Sequence, residues 1–172
     1  MRRMSEDPDG PTPAIIQSLL NTGVTQAGIA RMFGVSRQAI HDTCKRYGLK
    51  RQTRQEMLAD NWPFKVPVDM GNQYPFQLLR DHLEYMMTNG KGMAEDRLKR
   101  LRSFYQKMRD QDLVLEFDPN IPPEQGVSPR GGFAYRKRRK SDRGLLIRVN
   151  GHTDTNTIEQ GRHLWTFPDN YP

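Results

Sequence analysis

Residues 24–46, VTQAGIARMFGVSRQAIHDTCKR, concentrate side chains suited to reading nucleic acid in one short stretch. Arginine donates a two-pronged hydrogen bond to the edge of guanine, glutamine pairs with both edge atoms of adenine, and serine reaches bases or phosphates. At helical spacing Ser36, Arg37, Gln38, His41 and Lys45 share one face, and Arg46 extends its basic end. Asp42 lies on the same face and either accepts from a cytosine amino group or sits off the groove. His41 divides between a base or phosphate contact and an idle surface role. Upstream, Thr25 and Gln26 open a preceding helix, where backbone amides and side chains hold phosphate well.

A second basic feature is YRKRRKSDRG, 135–144; between Arg130 and Arg148 eight Lys and Arg residues face a single acid, Asp142. Its candidate contacts are Arg136, Lys137, Arg138, Arg139, Lys140 and Arg143. On a hairpin tip they would lie along phosphates or enter the minor groove. The alternative is a solvated strand edge that discourages sheet aggregation. The predominance of arginine, with its bidentate grip on phosphate, favours the first reading. Lys91, in NGKG before a helix, is a further candidate phosphate contact.

Other chemistries lack their parts. His41, His82, His152, His163 and Cys44 have no metal-ligand spacing, so neither metal nor cofactor is expected. GRH at 161–163 with Tyr171 faintly suggests a tyrosine recombinase, but the further arginine and a large enough catalytic domain are missing. GKG at 90–92 lacks the rest of a phosphate-binding loop. The expectation is a protein that is not an enzyme. One cysteine precludes an internal disulfide and fits a reducing interior. No apolar run approaches the roughly 20 residues a membrane helix needs, and MRRMSEDPDG is no secretory signal. A cytoplasmic protein without membrane or small-molecule partners is expected.

Charge agrees with a polyanionic partner. The 172 residues carry +7, distributed as +3 over 1–60, −1 over 61–129 and +5 over 130–172.

The elements that must position these residues are short. Residues 1–11 read as a disordered arm. Thr12-Pro13 starts a helix with Ile15, Ile16, Leu19 and Leu20 inward, ended by Gly23. Thr25 starts a second, with Ile29, Ala30 and Phe33 inward. Gly34 turns the chain and Ser36 caps a third, with Ala39, Ile40, Thr43 and Tyr47 inward. Two helices so joined form a helix-turn-helix: Ala30 is small where they cross, and Val35 and Ile40 lock the second onto the first. TRQE at 53–56 is a capping box for a linker helix over 54–60, completing a DNA-binding domain of 12–60. NWPFKVPVDMGNQYP, 61–75, is a Pro-rich linker whose aromatic residues should tuck against one domain. Helices over 76–88 and 93–110 and a strand at 113–117 open a second domain, 76–172. There GFAYRKR and GLLIRVN suggest a hairpin around RKSDRG. The last twenty residues show no clear period. The fold class is mostly α (α+β): a helical bundle joined to helices plus a small antiparallel sheet.

The helix-turn-helix followed by NWPFKVP, the YPFQLLRDHLEYM helix and the GGFAYRKRRKSDRGLLIRVNG segment resemble the immunity repressors of temperate mycobacteriophages, over nearly the whole chain. The resemblance implies a transcriptional repressor that maintains lysogeny in the bacterial host and blocks superinfection. It also implies binding, as a monomer, to an asymmetric operator and to dispersed copies called stoperators, where bound repressor halts polymerase. The base-reading role then falls on Ser36, Arg37, Gln38, His41 and Lys45, and a second contact on 136–143. A second basic unit behind a short linker suits an asymmetric double-stranded site, since linkage gives effective concentrations on the order of millimolar. Two rivals stand beside this reading: a recombinase or excision factor, and a protein whose C-terminal half is a dimerisation or partner module. Trp62, Phe64 and Trp165 would be the residues to watch for the latter.

Overall fold

A computed structural model describes residues 10–172; the expected arm falls largely on residues 1–9, outside that range. Four short helices come first: α1 (Pro13–Asn21), α2 (Gln26–Phe33), α3 (Arg37–Tyr47) and α4 (Arg54–Asn61). Each begins where a threonine or serine side chain accepts from the amide three residues on: Thr12, Thr25, Ser36 and Thr53. Such caps are worth about 1 kcal/mol each and fix where these short helices begin, while packing of their apolar faces holds them. Gly34 adopts φ +65°, the left-handed turn that a side chain would strain, between α2 and α3.

Ile16, Leu20, Ile29, Ala30, Ile40 and Cys44 form a small core among α1, α2 and α3. Two inward assignments in α3 are corrected. Ala39 and Tyr47 are exposed, and Cys44 is buried instead. Cys44 stands one turn beyond Ile40 on the line that faces α1 and α2; Ala39 is turned about 100° from Ile40, and Tyr47, the last residue of α3, is exposed at its end. Ile15 is likewise exposed rather than inward.

The rest of the chain builds a larger core. Helices α5 (Tyr74–Thr88) and α6 (Glu95–Asp110) pack on strands β1 (Leu113–Phe117) and β2 (Phe133–Lys137). A short α7 (Thr155–Gln160) and a 3-10 turn at Arg162–Trp165 give the last residues regular structure that the sequence pattern did not reveal. β1 and β2 are antiparallel, Leu115 opposite Tyr135. The hairpin expected between 133–137 and 145–149 is corrected. Residues 145–148 run along the other edge of β1, in parallel, through Leu115 N–H to Leu146 O (2.9 Å) and Arg148 N–H to Leu115 O (2.8 Å). β1 takes the middle place because Leu113, Val114 and Leu115 are all buried, the mark of a strand covered on both faces.

The Pro-rich segment packs onto this larger core. Phe64 is buried and bridges to Thr153, and the Trp62 ring meets Phe64, Phe76 and Trp165 edge-on at 5.2–5.9 Å between centroids. Leu58 of α4 belongs to the same cluster. Arg54 of α4 bonds Glu84 and lies 3.6 Å from Asp81, both on α5, while Arg97 of α6 bonds the same two carboxylates. α4 is therefore fixed to α5 by apolar packing and by shared ions.

His82, on α5, is fully buried between Tyr105 and the Leu164 carbonyl, both at 2.8 Å. A carbonyl only accepts, so Nε2 carries the proton and Nδ1 accepts from the Tyr105 hydroxyl. Burial pushes the imidazole pKa down to about 4, although the bond to Leu164 favours the charged form. The unfolded chain then binds the extra proton first, so stability falls as pH drops from about 6.5 to about 4. The loss amounts to about 3 kcal/mol. Urea unfolding across this window should show that slope, and His82→Gln should flatten it. An unchanged slope in the variant would assign the acid sensitivity elsewhere.

Candidate nucleic-acid interface

Ile40 and Cys44 bury the inner side of α3 against α1 and α2. That fixes which side chains face out: Ser36, Arg37, Gln38, His41, Lys45 and Arg46 are all exposed. Asp42 is half-buried and accepts from Gln38 Nε2 at 2.8 Å. This bond orients the Gln38 amide, whose oxygen and second N–H have no partner among the described residues. At the head of α2, Thr25 is exposed and accepts from Gly28 N–H (3.1 Å), while Gln26 is half-buried beside it.

Lys91 is brought close to this end of the molecule. Its side chain lies against Gly23, two residues before Thr25; a Cβ on Gly23 would come within 2.9 Å of Lys91 Nζ. The loop between α5 and α6 and the head of α2 thus share one region of surface, with the Lys91 side chain exposed.

The arginine-rich segment divides in two. Arg138 turns inward: Nη1 donates to Leu145 O (2.8 Å) and Nη2 to Leu113 O (3.0 Å). Arg148 is also buried, donating to both Asp142 oxygens at 3.0 and 3.1 Å and to Lys137 O at 2.8 Å. Asp142 is sealed beneath the loop and also accepts from the Arg139 amide at 2.7 Å. Burial pushes its pKa up, but the bonds to Arg148 and Arg139 outweigh that and hold the carboxyl below its ordinary range. Arg136 pairs with Glu116 across the sheet (3.0 Å), and Lys137 Nζ donates to Gln111 O (2.7 Å).

Arg139, Lys140 and Arg143 remain at the surface. Arg143 lies 3.5 Å from Glu159, an exposed pair of little energetic weight. It also occupies the left-handed region at φ +43°, just before Gly144. Holding a side chain there costs about 1–2 kcal/mol, a strain of the kind that collects at functional loops. Charge counting alone did not single out Arg148 or the inward turn of Arg138, since both depend on which carbonyls the crossing chain presents.

Of the basic residues on α6, several have local partners. Arg97 is in the ion cluster, Lys107 lies 3.7 Å over the Tyr135 ring, and Arg109 stacks on Phe167 and Tyr171. Tyr171 and Arg162, the fragments of a recombinase-like set, are engaged elsewhere: Tyr171 against Tyr105, and Arg162 donating to Arg143 O at 2.6 Å. Among the described residues no helix is long and apolar enough to cross a membrane.

Fold and surface together define a small α+β protein with two cores and a cationic helix face presented by the smaller one. Comparison with known proteins narrows this class. The chain is 44% identical over 155 residues to the "Repressor-like immunity protein" of Mycobacterium phage L5, covering 90% of this chain and 82% of that protein. The chain belongs to the immunity repressors of mycobacteriophages. No protein-family model matches it.

Proposed function

We propose that this protein is a sequence-specific, double-stranded DNA-binding transcriptional repressor that sustains lysogeny and superinfection immunity. It binds an asymmetric operator and related stoperator sites as a monomer, without enzymatic activity, in the host cytoplasm. The observation that carries this reading is the outward face of α3, where an oriented Gln38 and an Arg37 with no ion pair among the described residues stand beside Ser36, His41 and Lys45 at the head of the second helix of a helix-turn-helix. Such a helix enters the major groove with its N-terminal residues against base edges. Thr25, Gln26 and Lys91 hold flanking phosphate.

The second unit supplies the asymmetric partner contact. Arg139, Lys140 and Arg143 meet phosphate, with Arg136 and Lys137 flanking them, while Arg138 and Arg148 keep their loop in shape. Replacing Arg139 and Lys140 with Gln should weaken binding to operator and random DNA alike. It should also flatten the salt slope by about one unit per lost phosphate contact. A salt titration with an unchanged slope would return this loop to the role of a solvated edge. Binding stoichiometry on a selected site tests the monomer: one chain per asymmetric site is expected, and two chains on a palindrome would make the C-terminal half a dimerisation module.

A further inference from the structure

A cavity of about 340 Å³ opens between the head of α5, the middle of α6 and the loop entering β2. Its volume is at the lower end of the range for small-ligand sites. Leu78, Phe104, Phe133 and Tyr135 give it apolar and aromatic walls, and Lys107 and Arg130 stand among its lining residues. The remaining feature is Gln73. This glutamine is only 4% exposed, precedes α5 without capping it, and its side-chain amide has no hydrogen-bond partner among the described residues. A buried amide without partners costs about 1–3 kcal/mol. Gln73 is among the residues that line the cavity, and its amide is not among the fully sealed polar atoms lacking a partner.

We infer that this cavity binds an adenine mononucleotide. A glutamine amide offers a donor and an acceptor in one plane, the complement of the adenine N6 and N7 edge. The aromatic walls suit a planar base. Lys107 is held over Tyr135 and Arg130 is exposed without an ion pair among the described residues, so both are placed for the phosphate. A simple carboxylate would use the cations but leave the glutamine acceptor unmatched. The nucleotide is either free in solution or an adenine of the bound DNA itself.

Isothermal titration of the full chain with adenosine 5′-monophosphate tests the inference, with guanosine 5′-monophosphate and inorganic phosphate as comparisons. One molecule of the adenine nucleotide should bind per chain, more tightly than either comparison. Gln73→Leu should weaken it about tenfold. Arg130→Ala, at an exposed position that leaves the core intact, should weaken it by a similar factor. Equal affinity for all three probes, no uptake of any, or affinity unmoved in both variants would overturn the site. Repeating the titration on an operator complex separates the sources: undiminished uptake marks a free nucleotide, and competitive loss marks a base of the DNA.

Discussion

Arg37→Ala and Gln38→Ala are each expected to weaken binding to the cognate operator by about 1–3 kcal/mol and to relax discrimination at one base pair, while changing affinity for random DNA much less. The expectation rests on position. Both residues lie in the first turn of α3 and are exposed: Gln38 is on the side away from Ile40 and Cys44, and Arg37 is the first residue after the Ser36 cap. Removing either side chain leaves the small core untouched, so an effect on affinity is not an effect on folding. Gln38 carries an additional constraint, because Asp42 holds one of its N–H groups at 2.8 Å. Asp42→Ala should therefore act through Gln38 and blur the same base pair. The measurement is a set of titrations, at one salt concentration, on the operator and on its single-base-pair variants. Equal losses on operator and random sequences would remove the base-reading role and leave α3 as a phosphate contact. Such a result would leave Arg139 and Lys140 unaffected, since their role is read from the salt slope.

The elements bearing this face were legible because their ends are written in local chemistry. Thr25, Ser36 and Thr53 each cap a helix at the position their types imply, and Gly34 makes the turn. LVLEF, an apolar run too short for a helix, is the strand 113–117. Partners were less legible. Alternation in GFAYRKR and GLLIRVN marks extended chain but says nothing about neighbours, and β1, buried throughout its first three residues, intervenes. In α3, Cys44 is packed, as its residue type implies, whereas Ala39 is turned about 100° from Ile40 and Tyr47 is exposed at the helix end. The end of the chain was opaque for another reason. Its α7 depends on the Asp154 cap, which accepts from Thr157 N–H, and on burial of Ile158, too little for a periodic pattern. Within the arginine-rich loop, a count of charges cannot separate Arg139, which faces out, from Arg138, which clamps two carbonyls.

Asp142→Ala is expected to destabilise the protein by about 3–5 kcal/mol, the cost of leaving a buried charge without its partner. Arg148 is 8% exposed and would keep a single bond, to the Lys137 carbonyl, in place of three. The Arg139 amide would lose its acceptor at the same time. For a chain of this size the loss corresponds to roughly 6–20 °C in Tm. Asp142→Leu combined with Arg148→Met should recover most of it, because replacing both ions with apolar groups of similar bulk is often neutral or better. The double variant also separates stability from DNA contact. If Arg138 holds the loop from Leu113 and Leu145 without help, the double variant keeps the salt slope of the parent. If the ion pair is what presents Arg139, Lys140 and Arg143 to phosphate, the double variant melts normally yet binds with a flattened slope. A single Asp142→Ala change costing less than about 1 kcal/mol would mean that water reaches Arg148, and the loop would then owe its shape to Arg138 alone.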